Sequence, residues 1–124
     1  MRVLLVDDEM DLASALAERL DMRGIEADWA ISAQKAFEMT ASKDYDIAVL
    51  DVKMPRIGGV ELRHKLHVLY PEMKFIFVTG YGSEKDFKEV AINSGEACYL
   101  VKPIDIQDLI DLMNKLMAEK GEGQ

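Results

Sequence analysis

Apolar and polar positions along this 124-residue chain fall into alternating blocks. Five short apolar runs, Arg2 to Val6, Ile25 to Trp29, Asp46 to Leu50, Lys74 to Val78 and Ala97 to Val101, are separated by stretches with helical spacing. Val3-Leu4-Leu5-Val6, Ile47-Ala48-Val49-Leu50 and Phe75-Ile76-Phe77-Val78 are unbroken by polar residues. Strands covered on both faces read this way, which points to a parallel sheet. The second run is interrupted by Glu26 and Asp28 and is expected nearer an edge.

The intervening stretches have recognisable helix ends. Leu12, Leu16 and Leu20 recur every fourth residue, and Gly24 stands where a helix C′ glycine would sit. Ser32 is placed to cap a helix beginning at Ala33. Leu62, Leu66 and Leu69 form a third stripe that must stop before Pro71. Ser83 with Asp86 suggests a fourth helix, closed by Gly95. Asp105 can cap a last helix carrying Leu109, Leu112, Met113 and Leu116. The order is (βα)₅, an α/β doubly wound sheet with helices on both faces and right-handed crossovers.

One domain is expected over residues 1–120, with a flexible polar tail at 121–124 that could end a protein or begin a linker. The net charge of −8 and scattered basic residues argue against direct nucleic-acid binding. The first apolar run is too short for a secretory signal, and no run approaches the ~20 residues that span a bilayer. With one cysteine, Cys98, there is no disulfide framework, and a cytoplasmic location is the expectation. Cys98 reads as a buried small hydrophobe.

Charge matters more when it is mapped onto strand ends. Doubly wound sheets bind ligands beyond the carboxyl ends of their strands. There the chain places Asp7-Asp8 after the first run, Asp51 after the third, Thr79 after the fourth and Lys102-Pro103 after the fifth. Two carboxylates ~5 Å apart repel by about 3 kcal/mol at an effective dielectric of ~20. Lys102 offers one compensating charge and a divalent cation is the natural second. Oxygen donors without Cys or His favour Mg²⁺ or Mn²⁺. A carboxylate nucleophile beside such an ion suits phosphoryl transfer through an aspartyl phosphate.

Val6-Asp7-Asp8, Leu50-Asp51-Val52-Lys53-Met54-Pro55-Arg56-Ile57-Gly58-Gly59, Val78-Thr79-Gly80 and Leu100-Val101-Lys102-Pro103 together resemble the receiver domains of two-component response regulators. The match is collinear over nearly the whole chain. The resemblance implies a flavodoxin-like strand order 2-1-3-4-5. It also implies that Asp51 accepts a phosphoryl group from a histidine kinase or phosphotransfer protein. Asp8 and Asp51 would bind Mg²⁺ directly, Asp7 through water, and the main-chain carbonyl of Lys53 would be a further ligand. Lys102 would pair with the phosphoryl group and Thr79 would turn toward it. Lys102-Pro103 is expected to be cis. Tyr99 matches the family's aromatic switch position, or is simply a half-buried strand tyrosine. Dimer or effector contacts would use the fourth helix, last strand and last helix, whose Ile106, Ile110 and Met117 widen the apolar arc.

Gly80 stands where many receivers have Ala, and Lys53 and Tyr81 occupy variable positions flanking the phosphoryl site. His64 and His67, three apart, read as a solvated helix face, and the eight methionines mostly as core or helix fillers. Phosphotransferases of the haloacid-dehalogenase type want a second Asp where Lys53 stands. A flavodoxin-like FMN binder wants a Ser/Thr/Gly-rich phosphate loop after the first strand, where the anionic Asp7-Asp8-Glu9 would repel the FMN phosphate. The expected role is a switch whose chemistry is limited to self-phosphorylation and autodephosphorylation.

Overall fold

The computed structural model describes residues 1–80 and 98–122. In chain order they form β1 (Arg2–Val6), α1 (Met10–Asp21), β2 (Glu26–Ala30), α2 (Ala33–Ser42), β3 (Ile47–Asp51), α3 (Gly59–Leu69), β4 (Lys74–Thr79), β5 (Tyr99–Val101) and α4 (Ile106–Glu122). The five strands are parallel and ordered β2-β1-β3-β4-β5, so β2 is an edge strand. Tyr81 and the helix expected from Ser83 to Gly95 lie outside the described residues.

A strand turns successive side chains to opposite faces, and the three central strands sort their apolar residues accordingly. Leu4, Val6, Ala48, Leu50, Phe75 and Phe77 join α2 and α3 in one core. Val3, Leu5, Ile47, Val49, Ile76 and Val78 join α1 and α4 in the other. Both faces are buried, which explains why these runs carry no polar interruption.

Helix ends follow local chemistry. After α1, the Gly24 N–H donates to Asp21 O and the Ile25 N–H to Leu20 O, both at 3.0 Å, with Gly24 at φ +81°. This closing turn satisfies carbonyls that the helix leaves unpaired and needs a left-handed residue, which glycine adopts without steric cost. Ser32 Oγ accepts from the Lys35 N–H at 3.1 Å to start α2. Asp105 Oδ1 accepts from Gln107 N and Asp108 N at 2.9 and 3.0 Å to start α4. That helix continues through Glu122, past residue 120, since a single glycine such as Gly121 costs a helix only about 1 kcal/mol.

Several details differ from the sequence reading. Leu69 is 59% exposed although it continues the Leu62–Leu66 stripe, because it lies in the last turn of α3, after the two leucines that enter the core. Met1, Met10 and Met22 are exposed, while Met73 and Met113 are buried. Cys98 is only partly buried against the α1/α4 core. Ile106 is buried, and Ile110 and Met117 pack against that same core, so much of the wide apolar arc of α4 is used internally.

Candidate functional site

The alternation that builds the core also assembles the site. Asp51 ends β3 on the parity of Ile47 and Val49, facing the α1/α4 side. Asp7 follows β1 on the parity of Val3 and Leu5, and Lys102 follows β5 on that of Cys98 and Leu100. Register sets them level: Val6 pairs with Leu50, Asp51 with Val78 and Thr79 with Val101. The backbone locks these ends together through Asp7 N–H to Ala30 O (3.0 Å), Val52 N–H to Val78 O (2.9 Å) and Lys102 N–H to Thr79 O (2.8 Å).

The result is one ammonium among carboxylates. Lys102 Nζ lies 3.0 Å from Asp7 Oδ2, 3.4 Å from Asp51 Oδ2 and 3.6 Å from Glu9 Oε1. Carboxylate oxygens of Asp7, Asp8 and Asp51 all lie within 4.8 Å of one another. Asp7 and Asp51 are buried and Asp8 is exposed, so the cluster opens to solvent on one side. Backbone donors orient two of these acids: Glu9 N–H donates to Asp7 Oδ1 at 2.9 Å and Lys53 N–H to Asp51 Oδ1 at 3.3 Å.

The electrostatic consequence falls on Asp51. Burial, then the negative charge of Asp7, push its carboxyl up from 3.8 to about 6, although Lys102 and the Lys53 N–H oppose them. Burial pulls the Lys102 ammonium down. The hydrogen bond to Asp7 and the charges of Asp51, Asp7 and Glu9 outweigh it and hold Lys102 above its ordinary value. Asp51 is therefore an acid short of positive charge.

Thr79 is fully buried and its Oγ1 has no hydrogen-bond partner among the described residues. A buried hydroxyl without a partner is costly and unusual. It ends β4 on the parity of Phe75 and Phe77. Tyr99, opposite Phe77, packs against the α2/α3 core. The Lys102–Pro103 peptide is cis. The Lys53 side chain is exposed. Among the described residues, a Cβ at Gly80 would meet nothing within 4 Å. At Gly59 a Cβ would collide with the Asp51 carbonyl oxygen, so this glycine lets α3 start directly against the end of β3.

Glu9 belongs to none of the recognisable motifs, yet it completes the ring around Lys102. Its place beside Asp7-Asp8 was visible, but the direction in which α1 departs was not. His64 and His67 are exposed on α3, with His67 edge-on to Phe75 (6.4 Å between ring centroids) and Arg63 over the same ring (5.5 Å). They join no metal-binding group among the described residues.

A doubly wound parallel sheet with an acidic crevice beyond the carboxyl ends of its central strands defines an α/β class whose ligands bind at that edge. A family model described as the response regulator receiver domain matches residues 3–114. The chain belongs to the response regulator receiver family, whose members are signalling switches and not conventional enzymes.

Among its relatives, response regulator protein FleR of Pseudomonas aeruginosa is 34% identical over 112 residues, covering 90% of this chain and 24% of FleR. Sporulation initiation phosphotransferase F of Bacillus subtilis is 26% identical over 119 residues, covering 96% of this chain and 95% of that protein. The chain spans a third or less of the regulators YesN (33%) and FleR (24%). A CheY-like receiver domain protein from Methanospirillum hungatei superposes with a TM-score of 0.87 at 30% identity, covering 99% of this chain and 98% of its own. Response regulator TrrA from Thermotoga maritima, solved with Mg²⁺-BeF, gives 0.79 at 29% identity, covering 93% and 97%.

Proposed function

We propose that Asp51 is the phosphoacceptor of a two-component switch, receiving its phosphoryl group from a histidine kinase or phosphotransfer protein. The observation that carries this reading is the buried Asp51 carboxylate, at the end of a central strand, in contact with Lys102 and within 4.8 Å of Asp7 and Asp8 oxygens.

The donor set fits a hard divalent cation. Its ligands are oxygens, and among the described residues four carboxylates gather about the single ammonium of Lys102, while burial and then the charge of Asp7 raise the Asp51 carboxyl. Asp8 and Asp51 would hold Mg²⁺ or Mn²⁺ directly, with the Lys53 main-chain carbonyl, and Asp7 through water. When bound, the ion neutralises charge on the phosphoryl oxygens and on the carboxylates around them.

The chain's own groups supply the rest. An Asp51 oxygen attacks phosphorus and forms the acyl phosphate O–P bond while the P–N bond to the donor imidazole breaks. The electron pair stays on the ring, which leaves neutral when its other nitrogen carries a proton. Lys102 exchanges its contact with Asp51 for a phosphoryl oxygen. The Thr79 hydroxyl, without a partner among the described residues, donates to another. Attack of water on phosphorus then breaks the Asp51 O–P bond, releasing inorganic phosphate and regenerating the carboxylate.

Tyr99 couples this event to the surface by following Thr79, two strand positions away by register. Its readout surface is β5, α4 and the helix expected over 83–95, where an effector or a second copy would dock. The domain extends to the end of α4 at Glu122 and works in the cytoplasm, where histidine kinases present their phosphoryl groups.

Incubation with Mg²⁺ and acetyl phosphate tests this reading by intact-mass measurement. One acid-labile phosphoryl group is expected on wild type, with none on Asp51→Asn and none in excess chelator. Undiminished labelling in Asp51→Asn removes Asp51 from its role, and undiminished labelling in chelator removes the cation from the carboxylates.

A further inference from the structure

The free edge of the sheet, at β2, carries an apolar groove that phosphoryl chemistry does not use. It lies between the start of α1 and the outer face of α2, with a volume of about 570 Å³. Met10, Trp29, Ile31 and Met39 line it, with Lys35 and Glu38 at its rim. Met10 is 51% exposed, Ile31 44% and Trp29 36%. A lone exposed apolar side chain is ordinary, whereas several meeting in one depression mark a contact surface.

The charge pattern indicates what covers it. At a net charge of −8, two copies of this chain repel on average. The groove is an exception, because the charged residues lining it are one lysine and one glutamate. Neither the Lys35 nor the Glu38 side chain has an ion-pair partner among the described residues. They lie three apart on the exposed side of α2, away from buried Ala33, Ala36 and Thr40. A two-fold axis midway between them lays α2 antiparallel on its own copy and opposes Lys35 to Glu38 twice, as an isologous interface requires. Sheet extension through β2 is blocked in part, since the outward Ala27 N–H already donates to Asp21 Oδ1 at 2.9 Å.

We propose that the α1–β2–α2 edge is a self-association surface, on which a second copy packs in two-fold symmetry through Met10, Trp29 and Ile31 with reciprocal Lys35–Glu38 pairs at the rim. This surface is distinct from the β5–α4 surface and does not depend on the phosphoacceptor reading.

Sedimentation velocity on the unphosphorylated full chain, from about 10 μM to about 1 mM, tests it over the range expected of a small interface. Wild type should shift from monomer toward dimer with concentration. Lys35→Glu and Glu38→Lys should each weaken association about tenfold or more by opposing like charges. The double variant, with the net charge of wild type, should recover it, and the two single variants should dimerise when mixed. Ile31→Asp should abolish association while leaving the circular dichroism spectrum unchanged. A monomer throughout the range overturns the proposal and leaves the groove to another partner, such as the phosphodonor. A dimer indifferent to the charge reversals, or one not restored by the double variant, also overturns it.

Discussion

Replacing Asp51 by Asn should stabilise the fold when no divalent cation is bound. The carboxyl is pushed from 3.8 to about 6 by burial and by Asp7, against the opposing pull of Lys102. Between those values the folded state holds a proton that the unfolded chain has released, so stability falls as pH rises through this window. Above it the penalty is fully present. Taken at face value, about two pKa units amount to roughly 3 kcal/mol. The crevice opens to solvent beside Asp8 and Glu9, and screening there discounts the penalty to about 1–2 kcal/mol. Asn keeps the shape and still accepts from the Lys53 N–H, so little packing is lost. Urea denaturation in chelator at pH 7.5 should place Asp51→Asn above wild type by about that amount. The gap should close as pH falls from about 6 toward about 4, where both folded states are neutral at this position. Adding Mg²⁺ should raise wild type more than the variant. A variant less stable than wild type in chelator at pH 7.5 would refute the claim that Asp51 is charge-starved.

Other consequences can be measured on the same scale. Arg56 sits at φ +69° without being glycine, which costs an L-residue roughly 1–2 kcal/mol, so Arg56→Gly should be neutral to stabilising by up to about 1 kcal/mol once the freer unfolded chain is offset. A destabilised variant would mean that the arginine side chain holds that loop. Leu66 is fully buried in the α2/α3 core, and Leu66→Ala should lose about 2–5 kcal/mol in urea unfolding. The Tyr45 hydroxyl donates to Asp28 Oδ2 at 2.7 Å and, with Lys43, overcomes the burial that would raise this carboxyl, holding it below its ordinary value. That contribution is present above the ordinary carboxylate range and is lost as pH falls through the depressed folded value. Tyr45→Phe should raise the Asp28 pKa in an NMR titration and cost about 1–2 kcal/mol near neutral pH; an unmoved Asp28 would show the hydroxyl to be irrelevant to it.

The central strands were legible because burial on both faces leaves an unbroken apolar run, and β1 begins and ends at the residues its pattern indicates. β2 lies one residue later than its run, since Ile25 packs at the α1 closing turn while Ala30 is the strand residue that accepts from Asp7. Asp51 belongs to β3 itself, and periodicity cannot show where a strand ends when its last residue is a buried acid. The convergence of Asp7, Asp8, Asp51, Thr79 and Lys102 on one edge followed from topology alone. Which face each occupies, the three-way pairing of Lys102 and the entry of Glu9 depend on register and on the departure angle of α1, which neighbouring residues do not encode. Leu69 shows the same limit, because helical spacing marks a stripe without marking where the core beneath it stops.

Chemical mapping of the phosphorylated residue bears most directly on the central claim. After reaction with acetyl phosphate and Mg²⁺, borohydride reduces an aspartyl phosphate to homoserine, and peptide mass spectrometry locates the change. Homoserine at position 51 is the expected product, absent without phosphodonor. Homoserine at position 7 or 8 with Asp51 intact, or phosphate on a hydroxyl or imidazole, would contradict Asp51 as the phosphoacceptor.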